Sequence, residues 1–376
     1  MAPTAEVQSR TNVEATTVAP GKLASLKGDS KLIREPLRLT GILDKYENFD
    51  VTPVIGREYP TIQIRDLLKD EKSDELLREL ATIISRRGVV FFRNQDLTPE
   101  EQKTFTDAIG RAAGKPKDSG LHIHPIVNAE RDGEFTAVDD KGTANTDNEI
   151  SVISSKLRKA FEYRRRKGGD SEWHSDITFE PVPSDYTSLK VHTLPPTGGD
   201  TLWSSGYEIY DLLSPSFRSY LETLTGHFAQ PEFNRAAERG GFKVHPGPRG
   251  SDLNVGETLE AEHPFIRTNP VTGWKSVFGL GSHFDSLKDL DPAESQIIKD
   301  YILKLVTTSH GAQVRFKWSK NDLAIWDNRS VYHAANPDYI GLGERAGVRA
   351  VSIGEKPYFD SASRSRREEL GDSRII

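Results

Sequence analysis

The sequence predicts a mainly β domain, an antiparallel sandwich or barrel with helices on one side. The pattern of short strand-like segments leads to this fold class. Short runs rich in β-branched and aromatic residues recur with turn residues between them, and a parallel α/β fold fits this pattern less well. The predicted strands in this set are Tyr186–Thr193, Asp200–Ser204, Trp274–Phe278, Val314–Trp318, Leu323–Trp326 and Val348–Ile353.

Three helices and an early strand follow from local signals. Leu76–Ser85 has apolar residues at helical spacing and leads into the buried strand Gly88–Phe92. The sequences Thr-Pro-Glu-Glu at 98–101 and Asp-Pro-Ala-Glu at 291–294 each provide an N-cap, a proline and early acidic residues. They predict helices that run to about Ile109 and from Ala293 to about Val306.

Composition excludes several classes of protein. The 376 residues include 50 Lys and Arg against 56 Asp and Glu, and the net charge of −6 argues against a nucleic-acid partner. The absence of cysteine leaves histidine and carboxylate as the protein ligands for any metal. No apolar run approaches the roughly 20 residues of a membrane-spanning helix, so we expect no membrane association.

The chain divides into a leader, one domain and a tail. Residues 1–35 are predicted to be a disordered leader that lacks a secretory signal, which gives a cytoplasmic location by default. Residues 36–360 are predicted to be a single domain. Within it, the polar segment 131–169 is expected to be a lid-like insertion, whose basic run at 164–167 is interpreted as a solvated loop. Residues 361–376 are predicted to be a charged, solvated tail.

One segment carries the pattern of a metal site. On a strand, His174 and Asp176 project to the same side and can hold one ion together. A second histidine is needed, and His333, distant in sequence, is the best candidate. Two histidines and one carboxylate on one face of an octahedral ion leave the opposite positions open, which is the ligand set of non-haem Fe(II) oxygenases.

Other histidines compete with this assignment. His283-Phe284-Asp285 repeats the His-x-Asp pattern, but it precedes a helix, where Asp and Ser more often make turn hydrogen bonds than bind metals. His122 and His124 alternate in the same way, and we expect them to face a substrate or the core rather than a metal.

Two arginines near the end of the domain point to anion binding. Arg345 and Arg349 are four residues apart in a strand-like run, so both guanidinium groups would lie on one face and each could bind an oxyanion. One would hold an organic acid that chelates the metal, and the other a second anionic molecule. Alternatively, both are surface arginines paired with Glu344 and Glu355.

These motifs together resemble the taurine dioxygenase family of Fe(II)/2-oxoglutarate-dependent oxygenases, in particular its fungal members. The resemblance runs from about residue 50 to 360 and includes Trp173–Phe179, Pro196–Trp203 and Trp326–Arg329. It implies a double-stranded β-helix, the jelly-roll or cupin-like core, with Fe(II), 2-oxoglutarate as cosubstrate and O2. It assigns iron to His174, Asp176 and His333, the 2-oxoglutarate carboxylate to Thr201 and Arg345, and the acid group of the substrate to Arg349 and His124.

The resemblance also implies the reaction. We expect oxidation of a C–H bond in a small anionic organic substrate, with hydroxylation of a taurine-like sulfonate and release of sulfite as the first candidate. The family tyrosine of His-Pro-x-Tyr is missing after His124, so a carboxylate or amino-acid-derived metabolite stays open, with hydroxylation, desaturation or cyclisation. A non-catalytic jelly-roll binding protein is the alternative from another class. Phe179 and Trp326 are either pocket or core residues, and the sequence leaves self-association into a homo-oligomer open.

Overall fold

Two sheets with one shared core form the centre of the fold in the computed structural model. The structure describes residues 32–128, 145–160 and 173–372. The strands are β1 Phe49–Asp50, β2 Arg57–Tyr59, β3 Val89–Phe92, β4 Ile150–Ser154, β5 Ser184–Thr193, β6 Thr201–Ser205, β7 Thr225–Ala229, β8 Glu260–Pro264, β9 Ile266–Thr268, β10 Lys275–Val277, β11 Phe284–Leu287, β12 Gln313–Phe316, β13 Asp322–Asp327, β14 Val331–Ala335 and β15 Ala346–Ile353.

Helices flank both sheets. They are α1 Ile64–Lys69, α2 Ser73–Arg87, α3 Pro99–Ala112, α4 Ser155–Ala160, α5 Gly206–Leu212, α6 Pro215–Leu221, α7 Pro231–Gly240, α8 Pro292–Thr308 and α9 Arg366–Leu370. Among the described residues, no helix has both the length and the apolar character needed to cross a membrane.

The larger sheet has the strand order β1-β2-β3-β13-β5-β15-β4, and a smaller sheet has the order β12-β6-β14. Their pairings are antiparallel except for the parallel pair of β2 and β3. Side chains alternate as the pleat requires. In β3, Val89 and Phe91 join a core that also contains Trp203 of the smaller sheet, whereas Val90 and Phe92 join the core beneath the helices. The two sheets therefore pack face to face.

The prediction of helices on one side was wrong. Helices α2 and α3 cover the outer face of the larger sheet, while residues of α5 and α8 form a second core with β14 of the smaller sheet. Both outer faces carry apolar side chains, and each needs its own cover to remove them from water.

The capping signals predicted the helix starts correctly, since Thr98 and Asp291 make complete capping boxes. Helices α3 and α8 extend a few residues beyond their predicted ends.

Two segments that were predicted to be a loop and a tail contain helices and a strand. Within the predicted insertion 131–169, β4 pairs with β15 at the edge of the larger sheet and α4 follows it. Residues 131–144, 161–169 and the basic run at 164–167 lie outside the described residues, as does the leader up to Lys31. The predicted tail contains α9, and Ser363, Ser365 and Arg366 are buried. Its charges have partners on α5, which is why a charged segment docks there.

Candidate active site

The structure brings His174, Asp176 and His333 into one cluster, although Asp176 and His333 are far apart in sequence. Their ligand atoms all lie within 4.8 Å of one another. A backbone bridge holds the two histidines side by side, because the amide of each donates to the carbonyl of the other, at 3.0 and 2.8 Å. Strand β14 thus presents His333 directly opposite His174.

The local geometry differs from the regular strand that the sequence suggested. His174 makes only an isolated bridge, and Asp176 begins a turn. Ile177 follows with φ +64°, an uncommon conformation for a β-branched residue. Gly281 lies against the other side of His174, and a Cβ there would be 2.7 Å from the His174 Cα. A turn and a close backbone approach, rather than a pleat, therefore place the two side chains.

Hydrogen bonds fix both oxygens of the buried Asp176 carboxylate. Oδ1 accepts from Arg349 Nη1 at 2.9 Å, and Oδ2 accepts from Thr187 Oγ1 at 2.9 Å. Asn328 extends the network, since its amide donates to Thr187 and its oxygen accepts from the Asp176 backbone. Trp326 donates its indole N–H to the same Asn328 oxygen at 3.0 Å. Asp176 is thereby oriented before any ion binds, which is the function expected of groups around metal ligands.

Electrostatics keep Asp176 and His333 in the protonation states that bind metals. Burial by itself raises the pKa of Asp176, but the Arg349 guanidinium beside it holds that pKa well below its usual range. Burial, together with the neighbouring His174, lowers the pKa of His333 to about 3. The carboxylate is therefore ionised and the His333 imidazole neutral at neutral pH.

The cluster fits a divalent metal ion. It offers two imidazole nitrogens and a carboxylate, the donor set that suits Fe(II). The His333 Nδ1 atom is buried without a hydrogen-bond partner among the described residues, so that ring is held by packing against Trp326, with ring centres 4.8 Å apart. Among those residues no other group of three or more potential ligands was found.

Arg345 and Thr201 lie next to each other, and both line the cavity that the cluster faces. Arg345 is buried, donates from Nε to the Gly199 carbonyl at 2.9 Å and approaches Thr201 Oγ1 at 3.4 Å. Trp318 also donates to Thr201 Oγ1, at 3.0 Å. The structure thus places a buried guanidinium beside a strand hydroxyl.

Both arginines face one cavity, but not because of a regular strand. Arg345 precedes β15, and an irregularity lies between Ala346 and Gly347. The alternative of surface pairs was wrong. Glu344 pairs with Lys156, and Glu355 pairs with Arg267 and Arg329.

A cavity of about 330 Å³ contains all the predicted site residues: His174, Asp176, His333, Thr201, Arg345, Arg349, His124 and Phe179. Trp326 lines it while also packing in the core between the sheets. Sequence reasoning missed further lining residues, including Val152, Leu157, Gln230 and Phe233. Val152 and Leu157 lay inside the segment interpreted as a loop, and only its alternating Ile-Ser-Val-Ile-Ser pattern could have indicated a strand there.

The competing histidines have separate environments. His122 is buried, 3.9 Å from the Glu180 carboxylate, and is not among the cavity residues. His124 lines the cavity beside Phe233, with ring centres 4.8 Å apart, and its Nδ1 accepts from the Ile126 amide. His283 also lines the cavity, 5.8 Å from His174 between ring centres, but it does not belong to the ligand cluster.

Comparison with known proteins gives consistent matches. Residues 47–351 match the profile of the taurine catabolism dioxygenase TauD, TfdA family. The chain is 45% identical over 353 residues to the alpha-ketoglutarate-dependent dioxygenase btcD of Neocamarosporium betae, covering 90% of this chain and 99% of that protein. It is 30% identical over 316 residues to the alpha-ketoglutarate-dependent sulfonate dioxygenase of Saccharomyces cerevisiae, covering 82% and 67%. A crystal structure of a taurine dioxygenase from Burkholderia xenovorans has a similar fold, with a TM-score of 0.62, 24% identity and coverage of 84% and 92%.

Proposed function

Since this chain belongs to the taurine catabolism dioxygenase TauD, TfdA family, we propose that it oxidises a C–H bond of a small organic acid. It is an alpha-ketoglutarate (2-oxoglutarate)-dependent dioxygenase, like its relatives of 40–45% identity. The first candidate reaction is hydroxylation of a sulfonate next to sulfur, with release of sulfite. We further propose that the two facing sheets are the jelly roll of this family.

In this proposal, His174, Asp176 and His333 hold Fe(II), and Arg345 with Thr201 holds the distal carboxylate of 2-oxoglutarate. Bound iron, 2-oxoglutarate and O2 supply the oxidation, in which 2-oxoglutarate becomes succinate and CO2. The protein orients these groups and excludes water from the cavity. Strand β6 and the residue before β15 position Thr201 and Arg345 on fixed backbone, which favours a reproducible geometry.

The environment of Arg349 is the observation that supports an anionic substrate. Its Nη1 donates to Asp176, while its buried Nε has no hydrogen-bond partner among the described residues. A buried unpaired donor is costly, and an oxyanion would satisfy it. His124 lines the same cavity and offers a second polar contact to that anion.

A second candidate substrate is a carboxylic acid with an apolar body. Val152 of β4 and Leu157 of α4 form a small apolar cluster of their own and line the cavity. Phe179 and Phe233 add aromatic surface, with ring centres 5.7 Å apart. Apolar walls of this kind bind apolar groups, and each methylene buried contributes about 0.8 kcal/mol. Taurine offers little such surface.

The test is an anaerobic visible spectrum of the protein with Fe(II) and 2-oxoglutarate, titrated with taurine, alkanesulfonates and carboxylates of increasing chain length. We expect a charge-transfer band that shifts with the substrate. A preference for taurine supports the sulfonate, whereas tighter binding with each methylene supports the second candidate. Absence of the band with metal present would refute the dioxygenase site.

Two variants separate the roles of the arginines. Arg345→Ala should raise the 2-oxoglutarate requirement tenfold or more, since loss of a buried charge-assisted pair costs on the order of 2–5 kcal/mol. Arg349→Ala should mainly weaken binding of the acid that shifts the band. Arg315→Ala, on an exposed arginine paired with Asp200, is the control and should change neither. Equal loss of 2-oxoglutarate affinity in both cavity variants would contradict this division.

A further inference from the structure

His283 is a cavity histidine that neither the metal cluster nor the two arginine sites use. It is buried and lies beside His174 and Phe179, with ring centres 5.8 and 5.0 Å away. Because it lies outside the group of potential metal ligands, a metal role does not explain it. Filling space does not require an imidazole either, since the neighbouring Phe179 and Phe233 already provide apolar packing.

Several contacts hold the His283 ring in place. Its Nδ1 is 3.1 Å from Thr178 Oγ1, and its backbone carbonyl accepts from Ala229 at 2.8 Å. The Thr178 carbonyl in turn accepts from the buried His263 Nε2 at 2.9 Å. Thr178 lies two residues after Asp176, so the turn that carries a metal ligand also fixes His283. The ring is therefore held both by a side-chain contact and through its backbone.

Gly281 allows this approach. It has φ +107°, and it lies so close to His174 that a Cβ would contact the His174 Cα. Only a glycine permits both this conformation and this contact. The segment Gly281–His283 thus lies against the metal-ligand segment, and His283 faces the cavity near His174, whereas Arg349 contacts Asp176.

We propose that His283 is a substrate-binding residue that holds a polar group of the substrate other than its acid group. The inference rests on the proposed function, in which Arg349 holds the acid. Two anchors beside different metal ligands fix the orientation of a molecule, and so determine which C–H bond lies near the metal. Gln230 lines the same cavity and carries a side-chain amide. The substrate class is therefore a bifunctional acid that also carries an amine, hydroxyl or carbonyl group.

Matched pairs of acids test this proposal and do not require the natural substrate. Taurine and 2-hydroxyethanesulfonate each differ from ethanesulfonate by one polar group, and β-alanine differs from propionate in the same way. Their affinities are measured from the shift of the anaerobic Fe(II)/2-oxoglutarate band. We expect the wild type to bind at least one bifunctional acid about fivefold or more tightly than its partner, since a site that hydrogen-bonds a polar group of the substrate binds the analogue without that group more weakly.

Variants then assign that preference to His283. His283→Leu keeps the bulk but should abolish the preference within a pair, and His283→Gln, which keeps a polar group near the position of Nε2, should restore part of it. Both should bind 2-oxoglutarate within about twofold of the wild type, which excludes misfolding. His227→Leu, on the neighbouring strand β7 with a half-buried side chain 3.4 Å from Glu260, is the control.

The failures are distinguishable. A preference retained in His283→Leu, or no preference in the wild type although acids bind, would overturn the role of His283 alone. An equal loss of the preference in the Leu and Gln variants would also overturn it, because the preference would then depend on packing of the ring rather than on its polar atoms. If no acid shifts the band in the wild type, the anionic-substrate proposal and this inference both fail.

Discussion

At the scale of single residues, backbone conformation limits which side chains can surround the cluster of His174, Asp176 and His333. Ile177, which follows Asp176, has φ +64°, and Gly281, which lies against His174, has φ +107°. Strained or glycine-dependent conformations cost of order 1–3 kcal/mol when a side chain occupies them, and they concentrate at functional sites. At Gly281 the constraint is steric as well, because of the nearby His174 Cα.

Gly281→Ala should therefore lower the affinity for Fe(II) by tenfold or more, because the new Cβ forces the His174 backbone to move. Gly256→Ala is the matched control. Gly256 also has a positive φ, +86°, but no atom lies within 4 Å of a Cβ placed there. That variant should lose stability only. Fe(II) binding is measured by titration of the 2-oxoglutarate band, and equal Fe(II) affinities in the two variants would show that the contact with His174 is unimportant.

The sequence predicted the members of the site better than their connections. The residue types and order of His174, Asp176 and His333 were sufficient to select them as candidate ligands, and the structure brings these three side chains together. The bond from Arg349 to Asp176 could not be predicted, since 173 residues separate them and only the fold sets their distance. His283 was considered solely as a rival ligand, because sequence does not show that a residue can lie in the cavity without joining the cluster.

At the scale of elements, charge was a poor guide to exposure. The C-terminal segment looked solvated, yet Arg367 of α9 bonds to the Glu208 carboxylate of α5, and its backbone amide donates to Asp211 at 3.0 Å. Both acidic residues are buried. In the same way, the polar segment before residue 160 contains β4, which takes its order from pairing with β15. Polar segments become ordered when the fold supplies partners that sequence distance conceals.

Arg367→Ala should destabilise the protein by about 2 kcal/mol, because it removes a charge-assisted bond to a buried carboxylate. Arg364→Ala provides the comparison within the same segment. Arg364 pairs with Glu369 at 3.6 Å, and both side chains are largely exposed, so its loss should have little effect. The free energy of unfolding in urea is the measurement. Similar values for the two variants would indicate that α9 contributes little to the stability of the folded chain.

At the scale of the whole molecule, a buried ionic cluster connects the larger sheet to other parts of the chain. Asp327 ends β13 and binds Arg329 through two side-chain hydrogen bonds, at 2.7 and 2.8 Å. Asn269 donates to the same carboxylate, and Arg329 lies 3.5 Å from Glu355 beyond β15. Burial alone would raise the pKa of Asp327, but Arg329 lowers it below its usual value. The ionised form is therefore the stable one in the folded state.

Asp327→Asn should cost about 3–5 kcal/mol at neutral pH, because it leaves the buried Arg329 without its main counter-charge. The pKa of Asp327 is lower folded than unfolded, so its stabilisation is fully present above the unfolded value, about 3.9, and is lost as the pH falls through the folded value. The difference in unfolding free energy between wild type and variant should thus be constant from pH 7 to about 5 and shrink below about 4. Asp96→Asn, at an exposed pair with Arg65, is the control and should change the unfolding free energy little at neutral pH. Urea unfolding at several pH values measures both, and a difference that persists unchanged well below pH 4 would mean that the loss comes from packing rather than charge.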